Sequence, residues 1–364
     1  MRIRSAIGAL LLVVTSATPA SAAQDIPLQT VLDSARTALG LPGTAAAVIL
    51  ADGTHWEGAS GLARPGSYAS PRTSFELGSI TKLHTATLVL GLAEEGRLGL
   101  GDRLEQWFPD LPGAGSITVR QLLSHTHGLH DPLQDPDFVP DVLANPTRVW
   151  TLEDLLRRMG DPHFEPGARW RYSNTGFHLL GAVVEAVTDS DFRHALEAHL
   201  LEPMGLRHTW YGLDDPEGAD LAAAYIDPSG ADNPQPVSLL MPWTAFRSSA
   251  GPAGAVVSTA KDTARFLHLL VTGRILSEAG WREMTTWVDR PDGHRYGLGI
   301  LRIEDGDRSL LGHKGNSAGY SAAAFHDLES GITVVVLANA HAVDVTPAVT
   351  AVLRTALALS GPCR

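Results

Sequence analysis

"FELGSITKLHTATLVLGL" (residues 75–92) sets a serine, Ser79, three residues before a lysine, Lys82, at the head of an apolar helical pattern. Lysine is scarce in this chain: Lys82, Lys261 and Lys314 are the only three among 28 basic residues. Basic charge is otherwise carried by arginine, so a lysine here points to a task that a guanidinium cannot perform, such as losing a proton near neutral pH. If Ser79 opens the helix, Lys82 follows one turn later on the same face, within reach of the hydroxyl. A serine hydroxyl is a weak nucleophile that needs a neighbouring base. A lysine drawn partly out of water can lose its proton and serve as one. The helix start also aims free N–H groups at a developing oxyanion. Alone, S-x-x-K is a weak signal, and its ordinary alternative is a solvated lysine beside a serine cap.

Outward from this stretch the two chain ends look alike and the middle differs. Residues 27–40 carry apolar positions at helical spacing up to Gly40. "TAAAVIL-ADGT-HWEGASGLA" then reads as a hairpin turning at Asp52-Gly53. Near the other end, "YGLGILRI-EDGD-RSLLGHKG" and "YSAAAFHD-LESG-ITVVVLANA" read as two more hairpins, followed by a helix over 347–359. Residues 75–285 alternate helical segments with Pro- and Gly-rich loops, of which 131–147 and 213–237 are long and polar. The expected fold is α+β. One antiparallel sheet is built from both ends (27–74 and 286–364), covered by the terminal helices, with a mostly helical subdomain (75–285) inserted. Ligand sites favour such junctions.

The 364 residues, 44% hydrophobic, suit a large globular core. The first 22 are expected to be a signal peptide: Arg2 and Arg4, the short apolar run "AIGALLLVV", then small residues at Ala20 and Ala22. The run is too short to span a bilayer, so a secreted or periplasmic protein without stable membrane insertion is expected. The net charge of −12 and the absence of a basic block argue against nucleic acid and anionic membrane surfaces as partners. Cys363 is the only cysteine, so no internal disulfide can form.

Two further short motifs follow Ser79 and Lys82 in order. "FEPGARWRYSNTGFHLLG" places Tyr172-Ser173-Asn174 in a loop before a helix, and "LLGHKGNSAGYS" places His313-Lys314-Gly315, then Asn316, on a strand. S-x-x-K, Y-x-N and [KH]-x-G in this order resemble the serine β-lactamase and penicillin-binding DD-peptidase family. The nearest branch holds class C β-lactamases, D-alanyl-D-alanine carboxypeptidases and related esterases. The resemblance runs over almost the whole chain after residue 22 and implies a β-lactamase/transpeptidase-like fold. It also implies roles. Ser79 would be the acylated nucleophile and Lys82 its base or proton relay. Tyr172 would pass the proton to the leaving amine and later activate water. Asn174 would hold Lys82 and the substrate amide. The N–H groups of Ser79 and Asn316 would form the oxyanion hole. Gly315 would leave room for substrate backbone along the strand edge.

The third motif departs from the β-lactamase pattern. His313 stands where those enzymes usually carry lysine, as in secreted carboxypeptidases and esterase-like relatives. Lys314 stands where a hydroxyl is common; it either faces solvent or meets a substrate carboxylate, with Arg302 a weaker second cation. "SHTHGLHD" nearly spells a zinc signature with His125, His127, His130 and Asp131, but Leu129 occupies the position that needs aspartate. Glu165 reads as part of a turn at Pro166-Gly167. No metal and no cofactor is called for. The expected function is an exported serine hydrolase acting through an acyl-enzyme on a small-molecule or peptide substrate, foremost a D-alanyl-D-alanine carboxypeptidase-like peptidase. The alternatives are a class C-like β-lactamase or esterase of the same fold and, from another class, a catalytically silent penicillin-binding-type protein. Motifs do not encode the acyl donor, which depends on pocket shape.

Overall fold

The computed structural model describes residues 22–360, apart from 214, 217 and 228–232. The expected signal peptide, but for Ala22, and Cys363 lie outside the described residues. In chain order the strands are β1 (Gly43–Ile49), β2 (His55–Arg64), β3 (Ser67–Tyr68), β4 (Ser74–Glu76), β5 (Thr209–Tyr211), β6 (Tyr225–Ile226), β7 (Gln235–Pro236), β8 (Val256–Thr259), β9 (Val288–Asp289), β10 (Arg295–Tyr296), β11 (Leu301–Asp305), β12 (Arg308–Ser317), β13 (Tyr320–Asp327) and β14 (Thr333–Ala338). The helices are α1 (Ala22–Ala38), α2 (Thr81–Glu94), α3 (Val119–Leu123), α4 (Phe138–Ala144), α5 (Leu152–Arg157), α6 (Thr175–Thr188), α7 (Phe192–Leu196), α8 (Glu202–Met204), α9 (Thr244–Gly254), α10 (Ala260–Val271), α11 (Glu278–Met284) and α12 (Thr346–Ser360).

Among the described residues, nine strands form one antiparallel sheet in the order β3-β2-β1-β14-β13-β12-β11-β10-β9. The sheet joins the two chain ends where β1 pairs with β14, Ala46 opposite Val336. Its central strands are covered on both faces, which is why β13 and β14 are apolar runs rather than alternating ones. Alternate residues still part company. Ala45, Ala47, Ala324 and Leu337 enter the core shared with the helical segments, whereas Ala46, Val48, Phe325 and Val336 enter the core beneath α1 and α12.

Helix α2 is enclosed on all sides, with Thr81 through Leu90 buried. Its sequence is apolar around most of its circumference, as a fully interior helix requires. The middle segment is not purely helical. Strands β4, β8 and β5 make a second, small sheet that ties the lead-in to Ser79 to residues 209–259. Residues 131–147, expected as loop, contain a short 3-10 turn over Pro132–Gln134 and the helix α4. Aspartates there begin helical turns as well as loops: the Asp131 carboxylate accepts the Leu133 N–H at 3.2 Å.

The packing of β13 yields a stability prediction. Phe325→Ala empties a fully enclosed site beneath α12 and should cost about 3–5 kcal/mol in urea-unfolding free energy. Tyr68→Ala, at an exposed position on β3, should change stability by no more than about 0.5 kcal/mol. Equal losses would mean that the core does not sit where the sheet places it.

Candidate active site

Ser79 lies in one 3-10 turn, Gly78–Ile80, between β4 and α2. Gly78 has φ 51°, a left-handed conformation that residues with a Cβ rarely adopt. This turn presses on the outer edge of β12. A Cβ on Gly78 would stand 2.5 Å from the Asn316 carbonyl oxygen, and one on Gly315 would stand 1.9 Å from the Leu77 carbonyl oxygen. The sequence reading gave Gly315 its smallness for the substrate's sake. The structure supplies a different reason: the turn that carries Ser79 fills the space.

Ser317 and Tyr320 close the hairpin between β12 and β13, so the next pair, Asn316 and Ser321, is a non-hydrogen-bonded pair. The Asn316 N–H therefore points away from β13, toward the Ser79 turn. Ser79's own N–H lies in the first turn of the helical segment, where amides lack an acceptor within the helix.

Three chain segments meet at the Lys82 Nζ, and the side chain is fully buried. Nζ donates to Asn174 Oδ1 at 2.8 Å, to the Ala253 carbonyl at 2.8 Å and to Ser79 Oγ at 3.2 Å. An ammonium has three protons, and all three are placed. A neutral amine would keep two of these bonds and turn its lone pair to the Ser79 hydroxyl, which is the geometry of a general base. Burial pushes the Lys82 pKa down to about 7, against the opposing pull of the Asp131 carboxylate.

On the other side of Ser79, its Oγ lies 2.5 Å from the Tyr172 hydroxyl. Burial holds the Tyr172 phenol well above its ordinary value, so it stays neutral and can relay a proton but not act as a phenolate base. Asn174 stands at the N-terminal boundary of α6 and is oriented by Asp131, whose Oδ2 accepts from its backbone N–H at 2.8 Å and from its Nδ2 at 2.9 Å. With Nδ2 turned to Asp131, Oδ1 must face Lys82. Asp131 also accepts from Gln134 Nε2 at 2.8 Å. Sequence reasoning saw Asp131 only as the tail of the histidine cluster and missed this orienting contact.

The histidines of "SHTHGLHD" diverge. His127 Nδ1 accepts from the Leu129 N–H at 3.0 Å. His130 meets Asp135 at 3.0 Å and accepts from the Gly160 N–H at 3.0 Å. His125 has φ 58°, and its ring lies 4.5 Å from that of Tyr172 and 4.7 Å from that of Tyr296. Its carbonyl accepts the Arg171 N–H at 3.0 Å and its Nδ1 the Ser173 N–H at 3.3 Å, so it props both sides of the Tyr172 loop. Glu165 closes the expected turn through its carbonyl, which accepts the Ala168 N–H at 3.0 Å.

His313 is buried, and its Nε2 lies 2.9 Å from the Tyr296 hydroxyl while Nδ1 faces the Lys314 carbonyl. A carbonyl can only accept, so Nδ1 carries the proton and Nε2 accepts from Tyr296. Burial lowers the His313 pKa to about 3, so the imidazole is neutral at neutral pH. Lys314 lies opposite Ala323, on the α1/α12 face of the sheet, with its Nζ 3.4 Å from Asp344 Oδ2. Arg302 is occupied by Glu304 at 3.0 Å and Ser309 at 2.8 Å.

A pH profile follows from Lys82. Labelling of Ser79 by a fluorophosphonate should be slow at acidic pH and rise through a single limb near pH 7, as Lys82 loses its proton. Asp131→Asn removes a charge that holds this pKa up and should move the limb to lower pH. Lys82→Arg should lose roughly a hundredfold or more in rate, because a guanidinium stays protonated. A flat profile across neutrality, or undiminished acylation by Lys82→Arg, would refute a base role for Lys82.

Comparison with known proteins gives this site its setting. A family model described as Beta-lactamase matches residues 28–357. Penicillin-binding protein 4 of Amycolatopsis lactamdurans is 32% identical over 65% of this chain and 61% of its own length. Penicillin-binding protein 4* of Bacillus subtilis is 28% identical over 73% of this chain and 60% of its own. The chain thus spans about 60% of the length of these curated relatives. Among solved structures, a D-stereospecific amidohydrolase from Streptomyces sp. superposes with TM-score 0.78 at 32% identity, covering 90% of this chain and 97% of its own. The D-amino acid amidase of Ochrobactrum anthropi SV3, complexed with D-phenylalanine, reaches TM-score 0.81 at 27% identity, covering 92% and 99%. With the family's model running through the Ser79 turn, the Tyr172 loop and the β12 edge alike, the chain belongs to the beta-lactamase family, the serine hydrolase superfamily that includes the penicillin-binding proteins.

Proposed function

We propose that this protein is an exported serine amidohydrolase that opens amide bonds beside D-configured residues through an acyl-enzyme on Ser79. The observation that carries the reading is the chain of contacts running from Tyr172 through Ser79 and Lys82 to Asn174. In the proposed reaction Lys82 takes the Ser79 proton as Oγ attacks the carbonyl. The oxyanion forms between the N–H groups of Ser79 and Asn316. Tyr172 donates its hydroxyl proton to the leaving nitrogen as the C–N bond breaks and is reprotonated by the Lys82 ammonium, which returns the lysine to its neutral form; water then releases the acyl group by the reverse path. Two polar partners on Ser79, Tyr172 and a desolvated Lys82, weigh against the silent binding protein, which has no use for such a lysine. Export rests on the sequence of residues 1–22; among the described residues no helix is long and apolar enough to cross a membrane.

Two forms of the substrate compete. The motif order favours a peptide ending in D-alanyl-D-alanine, whose terminal carboxylate would need a cation near the third motif. Lys314 is the candidate, but it already faces Asp344. That pairing favours an uncharged leaving group, as in a D-amino acid amide; the D-stereospecific amidohydrolase and the D-amino acid amidase are matched along nearly their whole length, as is a penicillin-binding protein of Bacillus halodurans. A β-lactam would acylate the same serine, and an ester would report on the same chemistry.

Ser79→Ala should abolish the covalent adduct seen by mass spectrometry with penicillin or a fluorophosphonate, with thermal unfolding unchanged. An adduct mapped to another residue would sink the acyl-enzyme reading. Lys314→Met separates the two substrate forms. A loss of roughly ten- to a hundredfold in kcat/KM on a D-alanyl-D-alanine peptide, with D-phenylalanine amide and p-nitrophenyl butyrate spared, marks a carboxypeptidase. An unchanged peptide rate points to the amide. Turnover of nitrocefin well above all of these would make the protein a β-lactamase instead.

A further inference from the structure

Glu76 ends β4, three residues before Ser79, and is buried at 3% exposure. Both carboxylate oxygens are engaged. Oε2 accepts from Ser317 Oγ at 2.6 Å, and Oε1 accepts from Arg247 Nε at 2.8 Å. Arg247, itself 5% exposed, also donates through Nη1 to Asp215 Oδ1 at 2.7 Å and to the Leu213 carbonyl at 3.2 Å. Asp215 further accepts from Trp210 Nε1 at 3.3 Å. A carboxylate is a costly group to bury, and removing one partner of such a pair leaves the other charge uncompensated. The placement is informative. One end of the tie is the segment that carries the Ser79 N–H. The other end is Ser317, adjacent to Asn316, on the strand that carries the second N–H.

We propose that Glu76 is a positioning residue that sets the separation of the two N–H donors around the developing oxyanion, with Arg247 balancing its charge. The inference rests on the acyl-enzyme reading of Ser79. The two donors come from separate elements, the turn after β4 and the edge of β12. Gly78 against the Asn316 backbone and Gly315 against the Leu77 backbone let these elements touch but do not fix their register, because a van der Waals contact can slide. A buried carboxylate bonded to Ser317 cannot slide without breaking a charge-assisted bond. Arg247 lies on α9, which is broken at Gly251 and beyond the break presents the Ala253 carbonyl to Lys82. The same arginine therefore links the oxyanion side of the site to the anchor of the base, and it holds the start of the 213–237 segment through Leu213 and Asp215.

Ser317→Ala tests this most cleanly, because it cuts the tie and leaves the Glu76–Arg247 pair in place. An oxyanion contact strengthens in the transition state, so p-nitrophenyl butyrate hydrolysis should lose roughly ten- to a hundredfold in kcat with KM changed less than about twofold. Ser317→Thr restores a hydroxyl on a strand and should recover most of the loss. Glu76→Gln, which keeps the shape but removes the charge, should fall at least as far as Ser317→Ala. In all three the pH limb near 7 should stay where the wild type has it, since Lys82 is untouched. Hydrogen exchange of the β12 peptide should quicken in Ser317→Ala at unchanged thermal unfolding temperature. If the wild type is acylated at Ser79 and Ser317→Ala acylates at the same rate, the Glu76 proposal alone falls. A loss confined to KM, or a displaced pH limb, overturns it as well. If the wild type takes no adduct at Ser79, the hydrolase reading falls and carries the oxyanion role of Glu76 with it.

Discussion

Lys82 is buried without a counter-ion in direct contact, and the arrangement around it turns on keeping that amine dry and fully bonded. A lysine in this position costs stability unless its donors are satisfied. The acceptors come from far along the chain: Asn174 at the head of α6 and the Ala253 carbonyl just past the Gly251 break. The break is what frees that carbonyl. At φ 46° and ψ −143°, Gly251 leaves the helix, and the carbonyls of Pro252 and Ala253 turn toward α2. Thr85, three residues beyond Lys82 on the same face, takes the Pro252 carbonyl at 2.7 Å. One helical face thus receives two successive carbonyls of a distorted segment. Gly181 of α6 lets Pro252 come close, since a Cβ there would stand 2.3 Å from Pro252 Cγ.

The same desolvation shapes the rest of the pocket. Burial that lowers Lys82 to about 7 also lowers His313 to about 3 and raises the phenol of Tyr172. The buried imidazole and phenol are therefore neutral at neutral pH, and the charges that act on them are those of Asp131, Arg290 and the lysine itself. That setting strengthens each remaining dipole. His125 contributes as a neutral ring under Tyr172 and as a left-handed corner, φ 58°, that turns the chain so its carbonyl and Nδ1 both reach the 171–173 loop. Such strain persists only where surrounding contacts hold it, and here four aromatic rings surround the imidazole.

The charged groups that remain are paired away from the amine. Glu76 meets Arg247 and Ser317 beneath the edge of β12, and Lys314 meets Asp344 on the opposite face of the sheet. A free cation for a substrate carboxylate was the attraction of Lys314 in the sequence. Strand alternation, which the sequence displays, puts His313 and Lys314 on opposite faces, but only the folded sheet says which face belongs to the helical core.

By itself the sequence determined the local patterns and the chemistry they permit. Hairpins at Asp52-Gly53 and at the two turns of residues 301–338, the enclosed helix after Ser79, and the S-x-x-K, Y-x-N and H-x-G stretches are all written in short-range spacing. Short range is where backbone geometry links residue type to conformation directly. Tertiary structure alone decided which distant groups meet. Asp131 orients Asn174 across 43 positions, and Glu76 reaches Ser317 across 241, contacts for which no local periodicity leaves a trace. It also reassigned residues whose identity was noticed for another reason. Gly315 makes room for the Leu77 carbonyl, and the three histidines of "SHTHGLHD" turn to three separate partners. A side chain's direction depends on what packs against it. That packing is set by the pairing of β1 with β14 and by the break at Gly251, neither of which lies within the reach of a motif.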